Sequence, residues 1–156
     1  MLIFGCDHGG FFFKEQLKQS YQESNEEIID CGAHELNEQD DYPTFAHAVA
    51  QEIRKKQQEL PDTQESIVGV LICRSAGGVV ITANRHPGVR AVHCRTIDDA
   101  MHAREHNHAN IIAISGDSQG ELSLAQSLIN VFRSTNWSTE ERHVRRVEQI
   151  DQVSAV

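Results

Sequence analysis

The sequence predicts an α/β protein: a three-layer α/β/α, Rossmann-like fold on a five-stranded parallel sheet. Three observations carry that expectation. Short apolar runs of strand length recur five times, and a segment with helical spacing follows each of them. Strand-then-helix repetition is how parallel sheets with helices on both faces are built. Finally, 156 residues with no internal repeat, low-complexity tract or linker fit one domain spanning 1–156.

In chain order, Leu2–Cys6 reads as a buried strand, and Phe13, Leu17 and Tyr21 mark the face of the helix behind it. Ile28–Cys31 is a short second strand ending at Gly32. Phe45, Val49 and Ile53 give the next helical stripe, with Pro43 in its first turn where no N–H is needed. Residues 57–66 are polar, contain Pro61 and read as a surface loop. The run 67–73 is the third strand and 77–85 its helix. Val89–Cys94 is the fourth strand. Thr96 is set to cap a helix from Ile97 to Glu105, with Asp98 and Asp99 in its first turn. Asn110–Ile114 is the fifth strand, and Leu122, Ala125, Ile129 and Phe132 line the following helix. A final helix over about 139–152 carries only a weak stripe of Val144, Val147 and Ile150, so it is expected to pack on a partner subunit or a neighbouring surface.

Composition narrows the function. A hydrophobic content of 39% and a charged content of 24% describe a soluble globular chain. No run nears the length of a membrane span, and the acid at Asp7 interrupts anything resembling a secretory leader. A net charge of −9 argues against a nucleic-acid partner. The four cysteines, Cys6, Cys31, Cys73 and Cys94, have no CxxC spacing, and reduced thiols in the cytoplasm are expected.

The chemistry gathers where strands end. Ile67–Cys73 closes on a thiol, and Arg74-Ser75-Ala76-Gly77-Gly78 leads into a helix. Helix N-termini attract anions and lower thiol pKa values, as does a neighbouring Arg. The first strand ends in Cys6-Asp7-His8-Gly9-Gly10, the second leads to Asp40-Asp41-Tyr42-Pro43, and the fourth-strand helix exits at Arg104-Glu105-His106-Asn107. These segments are expected to converge on one sheet edge. Each has a plainer reading: Asp7-His8 as a turn, Cys73 as an inert core thiol, Tyr42 as a helix-entry residue. Arg142-His143-Val144-Arg145-Arg146 is either a solvated face or a phosphate grip. His102, His106 and His108 have spacing suggestive of a metal, but with no acid on the same face no metal site is expected.

Taken in order, Gly5-Cys6-Asp7-His8-Gly9-Gly10-Phe11, Asp41-Tyr42-Pro43, Leu71-Ile72-Cys73, Ala83-Asn84-Arg85, Pro87-Gly88-Val89-Arg90, Arg104 to Asn110 and Arg142 to Arg146 resemble the ribose-5-phosphate isomerase B family, in the wider group that holds galactose-6-phosphate isomerase subunits. The resemblance implies an aldose–ketose isomerase of phosphorylated pentoses that uses neither metal nor organic cofactor. It implies Cys73 as the base between C1 and C2 through a cis-enediolate, His106 opening the furanose ring with help from Asp7, and Ser75 near the reacting oxygens. Backbone N–H groups of 74–78, Gly77 and Gly78 included, would stabilise the enediolate. Asn107 and Tyr42 would orient hydroxyls, and His8, Arg142 and Arg146 would hold phosphate. It further implies a homodimer or homotetramer with sites between subunits.

Three departures accompany the resemblance. Arg74 and Ala76 stand where the family has glycine, which makes Arg74 an added substrate contact or an obstruction and strains Ala76 if its φ is positive. Ser115-Gly116-Asp117-Ser118 replaces a Gly-Ala-Arg, and the 57–66 segment is long. An isomerase of another sugar phosphate, such as a hexose 6-phosphate, and a weakly active sugar-phosphate-binding homologue are the alternatives.

Overall fold

The computed structural model describes residues 1–116 and 121–152. Its strands are β1 (Leu2–Cys6), β2 (Ile28–Asp30), β3 (Val68–Cys73), β4 (Ala91–His93) and β5 (Ile111–Ser115), paired in the order β2-β1-β3-β5-β4 and parallel throughout. The helices are α1 (Phe11–Gln22), α2 (Tyr42–Glu59), α3 (Gly77–Ala83), α4 (Ile97–Asn107), α5 (Leu122–Ser134) and α6 (Glu141–Asp151).

The continuous apolar runs have a simple cause. Alternate strand residues point to opposite faces, and both faces are covered. Phe4, Val70, Ile72 and Ile112 pack with Leu17 of α1, Ala103 of α4 and Ile129 of α5. Ile3, Leu71, Ile111 and Ala113 pack with Val49 and Ile53 of α2 and Val79 of α3. The sheet is therefore the middle of three layers, with α1, α4 and α5 on one side and α2 and α3 on the other. From β1 the chain leaves by α1, and from the adjacent β3 it leaves by α3 on the opposite face. Neighbouring strands whose exits diverge open a crevice at their carboxyl ends.

Where local expectations shift, the causes are identifiable. α2 continues to Glu59 and a 3-10 stretch covers Pro61–Ser66, so 57–66 is more ordered than a loop. Gln57, Gln58 and Glu59 are good helix formers, and Lys56 Nζ pairs with Glu59 at 2.8 Å before Pro61 intervenes. β2 and β4 are shorter than expected because each lies at a sheet edge and pairs on one side only. Thr96 does cap α4: its hydroxyl accepts from the Asp99 N–H at 3.1 Å, and the Asp99 carboxylate accepts from the Thr96 N–H at 3.0 Å. α6 rests on α4 through a narrow strip, His143 and Val147, while Ile150 stays 52% exposed.

A polar network lies beneath α1. Lys14 on α1 is fully buried, and its ammonium donates to both oxygens of Asp30 at 2.8 Å and to the Ala33 carbonyl at 2.9 Å. Lys18 adds a 2.6 Å bond to Asp30. Burial pushes the Asp30 carboxyl up, but these bonds outweigh it and hold it below the ordinary aspartate range. A depressed carboxyl contributes stability above its unfolded pKa and loses it as pH falls through the folded value. Asp30→Asn should therefore lower the unfolding free energy in urea at pH 7 by about 3 kcal/mol, since it leaves the buried Lys14 ammonium with the half-exposed Glu15 carboxylate, at 2.8 Å, in place of its bidentate, mostly buried partner. The deficit should shrink on acidification.

After β3 the chain turns through Ala76, which has φ 61° and ψ −17° with its methyl fully buried. The left-handed conformation costs an L-residue about 1–2 kcal/mol, while burial of the methyl returns about 0.8 kcal/mol. A β-branched side chain fits neither the backbone nor the space. Ala76→Val should destabilise by about 2 kcal/mol or more in urea unfolding, with Ala76→Ser closer to wild type.

Candidate active site

Strand register positions the central pair. Cys6 of β1 lies opposite Ile72 of β3, so the next residues, Asp7 and Cys73, emerge side by side at the carboxyl edge. The Cys73 thiol donates to Asp7 Oδ2 at 3.1 Å, and both side chains are almost wholly buried. Close backbone packing allows this approach. A Cβ on Gly10 would lie 2.6 Å from the Ile72 carbonyl oxygen, so only glycine fits there. On the other flank, the Gly116 N–H donates to the Cys73 carbonyl at 2.9 Å and the Ser115 hydroxyl to that of Arg74 at 2.7 Å.

This geometry reverses one expectation from sequence. Burial, followed by the hydrogen bond and charge of Asp7, pushes the Cys73 thiol up to about 11, while the Ser75 and Ala76 N–H groups pull weakly the other way. A carboxylate in contact outweighs the start of a seven-residue helix. In the free chain Cys73 is a neutral thiol, not a thiolate. Asp7 Oδ1 is buried and has no hydrogen-bond partner among the described residues.

Around this pair stand several other expected groups. Tyr42 opens α2 and lies over Gly78, where an added Cβ would come within 2.6 Å of the ring. Arg74, Ser75 and Gly77 are exposed on the turn between β3 and α3, and the space beside Gly77 is open. His8 follows Asp7, and its ring meets Asp40 at 2.6 Å. The hydrogen bond that the ring donates to Asp40 raises the pKa of His8 against partial desolvation and the charge of Arg74. His8 and Arg74 share a cavity of about 460 Å³ with Phe12, Leu36 and Glu38.

Asp40 was not singled out by sequence. It appeared only within the Asp40-Asp41-Tyr42-Pro43 segment leading from the second strand, with no role of its own. In the structure Asp41 occupies the N-cap position and makes no side-chain cap bond, while Asp40 reaches back to His8.

The remaining expected residues lie elsewhere, which corrects the idea of a single edge. α4 carries the chain from the carboxyl end of β4 back to the start of β5. His106 and Asn107, at its last turn, therefore stand at the amino edge of the sheet, about 16 Å of helix away from Thr96. Arg142 and Arg146 are exposed on α6, whose His143 ring lies 4.4 Å from that of His106. Arg142 pairs with Glu140 at 2.7 Å. Arg104, in the same segment, is a structural cation: it is buried, donates to the Glu65 and Ala109 carbonyls, and lies over the Phe132 and Trp137 rings. One chain thus gathers Asp7, His8, Tyr42, Cys73, Arg74, Ser75, Gly77 and Gly78, but not His106, Asn107, Arg142 or Arg146.

The three histidines suggestive of a metal diverge. His102 and His106 stack at 5.0 Å, whereas His108 stacks on Trp137 at 5.0 Å and bonds the Ser138 carbonyl. Among the described residues no group of three or more His, Cys, Asp or Glu is arranged to hold a metal ion. The substitution of an acid at Asp117, with Ser118, falls outside the described residues.

Known proteins share both this sequence and this architecture. The Ribose/Galactose Isomerase family matches residues 2–150. Ribose-5-phosphate isomerase B of Mycolicibacterium paratuberculosis is 35% identical over 92% of this chain and 85% of its own length. The protein of the same name from Escherichia coli K12 is 33% identical over 96% and 93%. Among solved structures, a ribose 5-phosphate isomerase from Thermotoga maritima superposes with a TM-score of 0.86 at 34% identity, covering 97% of each chain. A ribose-5-phosphate isomerase B from Mycoplasma genitalium, solved with bound ribulose-5-phosphate, gives 0.85 at 27% identity over 96% and 93%. Built on the same five-stranded sheet and matched from its first strand to its last helix, the chain belongs to the ribose/galactose isomerase family.

Proposed function

We propose that the chain interconverts ribose 5-phosphate and ribulose 5-phosphate in the cytoplasm. The observation that carries this reading is the Cys73–Asp7 pair, a buried thiol donating to a carboxylate at 3.1 Å in the crevice between β1 and β3. An aldose–ketose isomerisation needs one group to take a proton from C2 and return it to C1, and others to stabilise the oxygen that gains charge. Asp7 Oδ2 receives the thiol proton, and the resulting thiolate removes the C2 proton of the opened sugar to give a cis-enediolate. The same sulfur then returns a proton to C1 as the O2 hydroxyl proton passes to O1, and Asp7 gives its proton back to the thiolate to restore the starting pair. Ser75 and the backbone N–H groups of the 74–78 turn face the developing oxyanion, while Tyr42 flanks the sugar. None of the four cysteines is in a disulfide, as suits a reducing compartment.

His106 as the ring-opening group, Asn107 as a hydroxyl contact and Arg142 and Arg146 as phosphate ligands cannot reach Cys73 within one chain. We infer that a second copy supplies them, so that each site joins the carboxyl edge of one subunit to the amino edge of its partner. Isologous pairing makes two such sites at once. Cys73→Ala and His106→Ala proteins should each lose turnover of ribose 5-phosphate. Refolded together, they should recover about a quarter of wild-type activity, because half of the dimers are mixed and each of these has one intact site. No recovery would place each site within one subunit. Wild-type turnover that survives Cys73→Ala would remove the thiol from the mechanism, and turnover of a hexose 6-phosphate alone would reassign the substrate.

The thiol's state gives a separate test. Alkylation of Cys73 by iodoacetamide, followed peptide by peptide, should be slow at pH 7.5 and climb toward about pH 11. Asp7→Asn leaves burial in place but removes the carboxylate that adds to it in raising the thiol pKa, so alkylation at pH 8.5 should accelerate, by up to about tenfold. Turnover should meanwhile fall about 100-fold or more with the proton acceptor gone.

A further inference from the structure

We propose that Asp40 is a positioning residue for substrate phosphate: by holding Nδ1 it fixes the His8 ring and turns Nε2 toward the cavity shared with Arg74, where the imidazolium form can donate to a phosphate oxygen. The proposal rests on the reading above in which His8 meets the phosphate.

Asp40 and His8 are 32 residues apart, on the approach to α2 and at the end of β1, yet a single carboxylate oxygen holds both ends of the histidine. Asp40 Oδ1 accepts from the His8 backbone N–H at 3.0 Å and from ring Nδ1 at 2.6 Å. Because a carboxylate can only accept, Nδ1 must donate. Nε2 is then the ring atom left for a ligand. In a neutral imidazole with Nδ1 protonated, Nε2 carries a lone pair and repels a phosphate oxygen; in the imidazolium it carries a hydrogen and attracts one. Whether His8 can bind phosphate near neutral pH therefore depends on what stabilises its second proton.

The groups around His8 decide this. The Asp40 hydrogen bond acts toward the charged form, as do the charges of Asp7 and Asp40, while partial burial and the Arg74 guanidinium act against it, and the balance favours the charged form. Glu38 lines the same cavity and adds no donor. A plainer role for Asp40, capping α2, fails on geometry: the N-cap is Asp41, and the Asp40 carboxylate is committed to His8. Its side chain is only 8% exposed, and Oδ2 has no hydrogen-bond partner among the described residues. Burying a carboxylate in this way is costly unless the pairing it makes is needed.

The experiment is Asp40→Asn, an isosteric change that retains the side-chain volume, read in two ways. NMR titration of the His8 ring in the unliganded protein should show its midpoint moving down, toward the ordinary histidine range. Addition of inorganic phosphate at pH 7.5 should shift the His8 resonances in the wild type and not in the variant. In the assay with ribose 5-phosphate, KM of the variant should exceed that of the wild type about tenfold at pH 8, with kcat within about twofold. The ratio should close toward one at pH 5.5, where an ordinary histidine is protonated without help. An unchanged His8 midpoint would overturn the proposal. So would a KM increase of the same size at every pH, because that is the behaviour of a loop that has merely loosened. A wild type that responds to phosphate at His8 but does not turn over ribose 5-phosphate would leave the Asp40 role standing and sink the substrate assignment. A lowered midpoint with no change in phosphate response would sink the phosphate role of His8, and the proposal with it.

Discussion

The pairing of β1 with β3 is the constraint on which the rest of the site depends. These strands are separated by more than sixty residues, with β2 and α2 between them in sequence, yet they are hydrogen-bonded neighbours with Leu2 opposite Val68 and Cys6 opposite Ile72. That register puts Asp7 against Cys73. A one-residue slip would turn Cys73 toward the other face of the sheet and away from Asp7. The small residues nearby serve the same end. Gly10 lets the turn after β1 come against the Ile72 backbone, and a Cβ on Gly116 would press within 3.0 Å of the Gly9 carbonyl. Fold and chemistry are thus coupled at one place, where two adjacent strands send their helices to opposite faces.

Charge is arranged around that place in two opposing ways. At the thiol, low exposure and an adjacent carboxylate favour the neutral form, so proton removal waits for an acceptor that is already hydrogen-bonded. At His8, a carboxylate within hydrogen-bond distance favours the charged form. The same residue type, Asp, raises the pKa of both groups, but for an acid that means neutral and for a base it means cationic. A proton donor-acceptor pair and a fixed positive charge therefore sit side by side in the crevice. This division matches a reaction in which a proton moves at one end of a substrate while a distant anionic group anchors the other.

Much of this was legible in the sequence, and the limits are instructive. The apolar runs located all five strands, since a strand buried on both faces cannot hide its composition. Thr96 and Asp99 announced the start of α4 by a cap that needs only four residues. Ala76 could be flagged because glycine is the residue expected at a positive φ, and its φ is 61°. The placement of His106 at the wrong edge was avoidable: a helix joining two parallel strands must end at the edge opposite its start, and His106 lies in the last turn of α4. The lowered thiol pKa expected for Cys73 had no such remedy, because it is raised by burial in the packed crevice and by a carboxylate 66 positions away.

What the sequence determined by itself is therefore everything that short-range physics controls: the periodicity of strands and helices, the capping of α4, the chemical groups waiting at strand ends, and the motifs that mark the family. What only the tertiary structure decided is which of those groups touch. It inserted β5 between β3 and β4, set Asp7 beside Cys73, paired Asp40 with His8, turned Arg104 inward as a buried structural cation, and left His106 and the α6 arginines on the far edge. Hydrophobic periodicity repeats within a few residues of chain. Protonation states and site composition depend instead on distances of a few ångströms between residues far apart in sequence, and only the packed fold sets those distances.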